Sequence, residues 1–324
     1  MKENSRTSSE RSPVGPRDSF RTKILVIVGP TASGKTSLAL AIAGRIPCEL
    51  ISADSRQVYR MLDIGTAKPS AEELAKVPHH FINLLSPNEH FTAGDFAAQG
   101  RKIISEIVKK NALPIIVGGT GLYVQTLVDG IFSGPGMIKE LRGELETRIK
   151  QGGAEALWQE LRRVDPASAE KISPTKTRRI IRALEVFYAT GKPISLHHAE
   201  QNRAPEFDAT FIGLRWLRRV LYERINARVD RMLNEGFLDE VKRLLDAGYD
   251  ERFKALQTVG YKEAFAYLRE ELSYANMVEA MKQNTRRYAK RQMTWFRRDE
   301  RIQWFDVERD EEIAGIAKNV VEMI

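Results

Sequence analysis

One eight-residue segment combines two glycines, a lysine and a threonine in a pattern suited to holding phosphate. Residues 29–36 fit the pattern G-x-x-x-x-G-K-[ST]. Gly29 and Gly34 let backbone N–H groups turn inward around phosphate oxygens, and Lys35 adds a full positive charge. Thr36 offers a hydroxyl ligand for Mg²⁺. The segment therefore predicts a site for a diphosphate or triphosphate, with a structural glycine-rich turn as the alternative.

Two further polar residues follow predicted strands. Asp54 comes after the apolar run at 50–52, and Thr120 follows the run at 114–117. A nucleotide hydrolase usually has an Asp at the end of a later strand to order Mg²⁺, but here that strand ends in Gly-Gly-Thr-Gly. At a shared sheet edge, Asp54 could accept a proton and Thr120 could hydrogen-bond an oxygen-rich ligand. The alternatives are that Asp54 caps the following turn and Thr120 caps a helix.

Short apolar runs alternate with segments whose apolar residues follow a helical period. The run at 24–28 consists of Ile, Leu and Val, which is typical of a strand buried on both faces. We predict strands at 24–28, 50–52, 81–85, 114–117, 211–214 and 302–305, and early helices at 37–45 and 100–110. This alternation implies an α/β fold, with a P-loop-containing parallel sheet core flanked by helices.

The pattern changes after the strand at 114–117. Residues 133–136 form a Ser-Gly-Pro-Gly break, and the following stretch is charged and helical in period without clear strands. We predict a helical insertion domain at 137–203 within a core domain formed by 21–136 and 204–324. Residues 1–20 are rich in Ser, Arg and Pro and predict a disordered tail.

Composition narrows the classes of function. The 324 residues include 51 Lys and Arg against 43 Asp and Glu, and the net charge of +8 favours an anionic partner. The single cysteine, Cys48, excludes an intramolecular disulfide framework and predicts a buried thiol in a reducing compartment. No apolar run approaches the ~20 residues that span a bilayer, and the first residues lack a secretory signal's apolar core. We therefore expect a cytoplasmic protein with no membrane partner.

Three segments are strongly basic. Residues 282–303 contain eight cations against two acids, and on a helix they would form a cationic face suited to a nucleic-acid backbone. The other two segments are 176–182 and the arginine-rich stretch 215–231. Each segment alone is also typical of a solvated helix face. The aromatic pair Trp295 and Phe296 is predicted to lie in the core.

Several motifs together resemble one family, the tRNA dimethylallyltransferases of the bacterial type. In family order over residues 24–305 they are GPTASGKT (29–36), ISADSRQVYRMLDIGTAKPS (51–70), IIVGGTGLY (115–123), RRIIRALEVFYATGKPIS (178–195), RINARVDRMLNEGFLDEV (224–241), TVGYKEAFAYL (258–268) and RRYAKRQMTWFRR (286–298). DSRQVY, DIGTAKP and GGTGLY are not general features of phosphate loops, so the resemblance is specific. The single cysteine fits the lack of the zinc finger found in eukaryotic members.

The resemblance implies transfer of a dimethylallyl group from dimethylallyl diphosphate to N6 of adenine 37 in tRNA, immediately 3′ of the anticodon. It implies that Asp54 takes the N6 proton and that Thr120 hydrogen-bonds at the reacting centre. Mg²⁺ is the implied cofactor, with Thr36 as its ligand. The implied diphosphate-binding residues are Gly29, Thr31, Ala32, Ser33, Gly34, Lys35 and Thr36, joined by an arginine that is Arg224 or Arg228.

The resemblance also implies that the insertion domain and the basic helical segments bind the anticodon stem-loop of tRNA. The implied tRNA-binding residues are Asp54, Ser55, Arg56, Gln57, Thr120, Arg142, Arg179, Arg182, Gln257, Gly260, Tyr261, Lys262, Arg286, Arg287, Lys290 and Arg291. No obligate protein partner is evident from the sequence, and we expect a monomer.

Other functions remain open at the level of sequence. A small-molecule P-loop kinase would share the phosphate loop and an Asp after the second strand, but it needs no broad RNA surface. An adenylate isopentenyltransferase would prenylate free AMP or ADP and tolerate neutralised arginines at 286–298. A non-catalytic RNA-binding module is hard to reconcile with an intact phosphate loop together with Asp54.

Overall fold

The structure is a computed structural model that describes residues 21–130, 134–136, 138–200 and 206–324. The strands are β1 (Thr22–Val28), β2 (Cys48–Ser52), β3 (His79–His80), β4 (Leu113–Gly118), β5 (Phe207–Trp216) and β6 (Ile302–Val307). Within the described ranges these six strands form one parallel sheet in the order β3-β2-β4-β1-β5-β6. The predicted α/β fold with a parallel sheet is confirmed.

Helices cover both faces of the sheet. Those before β5 are α1 (Lys35–Ala43), α2 (Ala71–Lys76), α3 (Ala93–Lys109), α4 (Gly121–Val128), α5 (Lys139–Val164), α6 (Pro166–Lys171), α7 (Thr177–Thr190) and α8 (Ile194–Ala199). Those after β5 are α9 (Arg218–Asn234), α10 (Phe237–Asp246), α11 (Tyr261–Leu268), α12 (Tyr274–Phe296) and α13 (Glu312–Met323). The α5 segment is kinked at Gly153, where φ is +78°.

The central strand β1 shows why the sheet has two cores. Ile24, Val26 and Val28 pack on one face against α3, α4 and the helices from α9 to α12. Leu25 and Ile27 alternate with them and pack on the other face, where α1 and α13 lie. Because successive strand residues point to opposite faces, a continuous apolar run is needed when both faces are covered.

Some local predictions require correction. The strand predicted at 81–85 is wrong, because β3 occupies His79–His80 and the following segment has positive φ at Phe81 and Asn83. Phe81 instead joins an aromatic cluster with Phe96, at 4.7 Å between ring centroids. Phe296 is buried as predicted, whereas Trp295 is exposed. Cys48 is buried as predicted, and burial raises the pKa of its thiol to about 11.

The helices α5 to α8 lie between α4 and β5 in the chain and share a hydrophobic cluster separate from the two sheet cores. Leu157, Leu161, Ile180 and Leu184 are among its buried members. The predicted domain boundaries at 137 and 203 and the predicted tail at 1–20 lie outside the described residues. Among the described residues, no helix combines the length and apolar character that a membrane crossing requires.

Candidate active site

The phosphate loop connects β1 to α1, and the helix begins two residues earlier than predicted, at Lys35. Gly34 has φ +86°, and an added Cβ there would overlap the side chain of Ile313. The Lys35 Nζ donates a hydrogen bond to the Pro30 carbonyl oxygen at 2.6 Å, so the ammonium folds back over the loop. The helix N-terminus and this ammonium together make the loop a favourable place for an anion.

Three charged residues, Lys35, Arg228 and Asp54, are close enough for their charges to interact; we call them the charged cluster. Burial and the neighbouring Arg228 charge lower the pKa of Lys35 to about 7, while the Asp54 carboxylate opposes the shift. Burial also lowers the pKa of Arg228, again against the effect of Asp54. An anion bound beside these cations would favour their charged forms, because an opposite charge offsets the cost of burial.

The structure distinguishes the two arginines that the sequence left open. The Arg224 Nε donates to the Ala32 carbonyl oxygen at 2.9 Å, and its Nη1 lies 2.6 Å from Asp310 Oδ2. The Arg224 guanidinium also lies 4.0 Å from the centroid of the Trp216 ring. Arg224 is therefore engaged by the protein and braces the phosphate loop, whereas Arg228 belongs to the charged cluster.

Asp54 and Thr120 are brought to one edge of the sheet by adjacent strands β2 and β4. Asp54 Oδ1 accepts hydrogen bonds from the N–H of Arg56 at 2.8 Å and of Gln57 at 3.4 Å, so the turn-capping alternative is also met. Asp54 Oδ2 accepts no hydrogen bond from the described residues. Thr120 Oγ1 does not cap α4 but accepts from the Ser55 N–H at 3.1 Å. The turn thus orients one carboxylate oxygen and leaves the other available.

The remaining loop residues differ in what they offer a phosphate. The Thr31 N–H already donates to Gln292 Oε1 at 2.8 Å. The Ser33 carbonyl oxygen accepts from Trp216 Nε1 at 3.0 Å, while the buried Ser33 Oγ has no hydrogen-bond partner. Thr36 lies half-buried in the first turn of α1. The Thr31 N–H is therefore engaged by Gln292 in this structure, and whether Thr31 binds diphosphate stays a prediction.

Two residues of α12 were missed as site residues by sequence reasoning. Gln292 is buried and reaches both the phosphate loop and the carbonyl oxygen of Gly119. Burial and the Asp54 charge raise the pKa of Tyr288 to about 12. The sequence does contain a signal for Gln292. Its helical spacing from Ala289 and Phe296 places a polar amide on the buried side of α12.

The α12 helix presents part of the predicted basic surface. Arg287, Lys290 and Arg291 are exposed, and we call these three residues the basic face. Arg286 is engaged within the protein, because its Nη1 donates to Asn226 Oδ1 at 2.8 Å and its Nη2 to a carboxylate oxygen on α12. Arg286 is therefore less available to an external anion than the three residues of the basic face.

The predicted tRNA-binding arginines of the insertion also include some that are engaged within the protein and one that is exposed. Glu185 is fully buried and accepts from Arg142 Nη2 at 2.8 Å and from Arg182 Nη1 at 3.0 Å. Both arginines thus neutralise a buried carboxylate, and Arg142 Nε is buried without a hydrogen-bond partner. Arg179 is exposed and remains available to an external anion.

The segment 257–262, predicted to contact tRNA, is only partly exposed. Gln257 and Lys262 are exposed, but Gly260 is buried and the Tyr261 side chain is completely buried. The Tyr261 hydroxyl donates to Glu240 Oε1 at 2.7 Å, so a direct tRNA contact by Tyr261 is not available in this structure. Glu240 also accepts from the backbone N–H groups of residues 63–65, and Tyr261 therefore supports the DIGTAKP loop from behind.

The predicted contact residues after Asp54 are also held by internal hydrogen bonds. Arg56 Nη1 donates to the Lys254 carbonyl oxygen at 3.0 Å, and Gln57 Nε2 donates to the Ala67 carbonyl oxygen at 3.1 Å. Both side chains remain half-buried. These hydrogen bonds hold the side chains of the turn that follows Asp54.

The parallel sheet and the glycine-bounded loop after β1 define a P-loop α/β protein, with the Asp54 carboxylate at the carboxyl edge of the sheet. The family model described as IPP transferase matches residues 57–299. The chain is 47% identical over 294 residues to the tRNA dimethylallyltransferase of Geobacter sulfurreducens, covering 90% of this chain and 94% of that protein. This chain belongs to the IPP transferase family.

Solved structures agree with this assignment. The tRNA isopentenylpyrophosphate transferase of Bacillus halodurans matches with a TM-score of 0.69 and 41% identity, over 93% of this chain and 96% of that one. A eukaryotic dimethylallyltransferase acting on tRNA matches with a TM-score of 0.81 and 30% identity, over 92% and 78% of the two chains.

Proposed function

We propose that this protein transfers the dimethylallyl group of dimethylallyl diphosphate to N6 of adenine 37 in tRNA and releases diphosphate. The observation that carries the proposal is the charged cluster: the charges of Arg228 and Asp54 act on Lys35 of the phosphate loop, and Asp54 and Thr120 follow adjacent strands at one sheet edge. The tRNA dimethylallyltransferases that resemble this chain over most of its length support the same reaction.

The chemistry forms a C–N bond and breaks a C–O bond. The adenine N6 attacks C1 of the dimethylallyl group, and the electron pair of the C1–O bond leaves with the diphosphate. The N6 proton goes to Asp54, whose Oδ2 is free of hydrogen bonds from the described residues. A positioned base of this kind contributes about 10²- to 10⁴-fold to a rate.

The leaving diphosphate gains negative charge as the allylic carbon becomes positive. Lys35 and Arg228 lie where they can stabilise that charge, and Arg224 keeps the loop in place through the Ala32 carbonyl oxygen. Substrate binding would raise the pKa of Lys35 from about 7, so the ammonium is fully charged in the complex.

The residues present are compatible with Mg²⁺ bound together with the diphosphate. Thr36 offers a hydroxyl, and the buried Ser33 Oγ is a second loop hydroxyl with unused hydrogen-bonding capacity. The described part of the chain contains no group of three or more His, Cys, Asp or Glu that could hold a metal. Mg²⁺ coordinated largely by substrate phosphate and water needs no such group, and when bound it neutralises leaving-group charge.

The tRNA would approach along the basic face on α12, with exposed Arg179, Gln257 and Lys262 as further contacts. Adenine 37 lies in a loop, so it can be splayed out of its stack and inserted toward Asp54. Phosphate contacts from exposed cations predict a binding affinity that falls as salt concentration rises.

The test is an incubation of the protein with unmodified tRNA, Mg²⁺ and dimethylallyl diphosphate carrying a radiolabel in the prenyl chain. We expect the label in tRNA and N6-(dimethylallyl)adenosine in its nucleoside digest by mass spectrometry. Transfer from γ-labelled ATP to a small molecule would support a kinase instead. Faster prenylation of AMP or ADP than of tRNA would support an adenylate isopentenyltransferase.

A further inference from the structure

The Gln292 side chain connects two loops that belong to opposite sides of the proposed reaction. Its Oε1 accepts from the Thr31 N–H of the phosphate loop at 2.8 Å, and its Nε2 donates to the Gly119 carbonyl oxygen at 3.0 Å. Gly119 directly precedes Thr120, which in turn accepts from the Ser55 N–H beside Asp54. A single buried amide therefore joins the donor loop to the turn that contacts the Asp54 loop.

The two hydrogen bonds require an amide at this position. Oε1 meets an N–H donor and Nε2 meets a carbonyl acceptor, so a flipped amide or a carboxylate would face one group with the wrong polarity. An apolar side chain of similar volume would leave a buried N–H and a buried carbonyl oxygen without partners, which is costly.

The two backbone segments that flank the Gln292 side chain lie close together. A Cβ added to Gly119 would overlap Gln292 Nε2 and would lie 3.7 Å from the Gly29 carbonyl oxygen. The Gly119 turn and the phosphate loop thus approach each other with little more than the Gln292 amide between them. Gln292 also lies on the helix whose exposed residues form the basic face.

We propose that Gln292 is a positioning residue that sets the spacing between the diphosphate-binding loop and the Thr120–Asp54 acceptor site. This inference rests on the proposed transferase function, because the spacing it sets is between the carbon of the donor and the nitrogen of the acceptor. Gln292 does not touch the reacting atoms. Its loss lowers the rate of the chemical step and leaves each substrate's separate contacts in place.

The kinetic test compares Gln292→Met with Gln283→Met, which changes an exposed glutamine on the same helix. We expect kcat of Gln292→Met to fall about 10- to 100-fold, because displacement of reacting groups by about 1 Å has effects of this size. KM for dimethylallyl diphosphate should change by less than about threefold, because binding contacts remain. A kcat within about twofold of the unmodified enzyme would contradict the proposal.

A second variant, Gln292→Glu, tests the hydrogen bonds themselves through the pH dependence of kcat, which a general loss of stability would not change in the same way. In Gln292→Glu, a protonated carboxyl can accept from Thr31 and donate to Gly119, as the amide does, whereas the carboxylate cannot donate. We therefore expect the ratio of its kcat to that of the unmodified enzyme to rise as the pH falls. A ratio independent of pH would contradict the proposal.

Hydrogen exchange measures the same connection without catalysis. Amide exchange in peptides covering 29–36 and 117–121 should accelerate in Gln292→Met and stay unchanged in Gln283→Met. Unchanged exchange in both peptides of Gln292→Met would overturn the connection. An unmodified protein that prenylates no tRNA would contradict the proposed function, and the exchange result would still decide whether Gln292 holds the two loops.

Discussion

The charged cluster and the insertion helices both contain closely spaced cations, but the cations have different partners. In the described part of the chain, neither Lys35 nor Arg228 forms an ion pair with a carboxylate, although the charge of Asp54 acts on both, and burial lowers their pKa values. Arg142 and Arg182 instead converge on buried Glu185 at 2.8 and 3.0 Å. Each group has two cations and one carboxylate, so the difference lies in pairing: cations without a direct ion pair stay available to an external anion, whereas cations hydrogen-bonded to a buried acid hold the structure together.

The largest effect is expected at the carboxylate of the cluster. Asp54→Asn should lower kcat for tRNA prenylation about 10²- to 10⁴-fold, because it removes the base, while tRNA affinity stays near normal. The measurement combines single-turnover kinetics with a tRNA-binding titration. Asp208→Asn, an exposed carboxylate in β5, is the matched control and should keep normal turnover. A large loss of tRNA affinity with unchanged turnover would contradict the base role.

The second prediction separates the two arginines of α9. Arg228→Met should weaken the binding of inorganic diphosphate with Mg²⁺ about 10- to 100-fold, because it removes a charged partner of the anion. Arg224→Met should have a smaller effect on that affinity, because its guanidinium contacts Ala32, Asp310 and Trp216. Calorimetric titration of both variants measures the difference. A larger loss in Arg224→Met would reverse the assignment.

The third prediction concerns pH. Lys35 has a pKa of about 7, and binding of an anion favours its protonated form. Diphosphate affinity should therefore lose a contribution as the pH rises above about 7, approaching tenfold per pH unit from this group. Because diphosphate titrates as well, the affinity profile is compared with that of Lys35→Met, which should lack this contribution. Parallel profiles for the two proteins would contradict it.

The smallest effects on catalysis are expected at the surface. The double variant Arg287→Gln and Arg291→Gln should reduce the slope of log affinity for tRNA against log salt by about 1.5, because two phosphate contacts are lost. The double variant Lys102→Gln and Lys109→Gln on α3 makes the same change in net charge away from the basic face. An equal change of slope in both double variants would remove the basic face from the interface.

For the arginines of the insertion, in contrast to the basic face, we expect a change in the free energy of unfolding. Arg142→Met should lower the free energy of unfolding by about 2 kcal/mol, because it leaves the buried Glu185 carboxylate with Arg182 alone. The slope of tRNA affinity against salt should stay unchanged. Urea unfolding and a salt titration measure the two quantities. A reduced slope with normal stability would show that Arg142 contacts tRNA directly.

The sheet and the phosphate loop were predictable because each depends on neighbours in the sequence. The apolar run at 24–28 predicted β1, and Gly34 and Lys35 were recognised from the loop pattern alone. The false strand at 81–85 is also mostly apolar, with Asn83 as its one polar residue, but positive φ values at Phe81 and Asn83 break its extended backbone. The local pattern does not reveal this interruption. The aromatic rings that pack against Phe81 lie outside the segment, so the segment's own sequence contains no sign of them.

The sequence by itself determined the α/β alternation, the glycine-bounded loop after β1 and the placing of Asp54 and Thr120 at strand ends. These follow from local geometry, since parallel strands deliver their carboxyl ends to one edge. Only the tertiary structure decided that Arg228 joins Lys35, that Arg142 pairs with Glu185 and that Gln292 connects two loops. Each of those choices depends on which distant groups are buried together, because burial and neighbouring charge decide what a side chain can do.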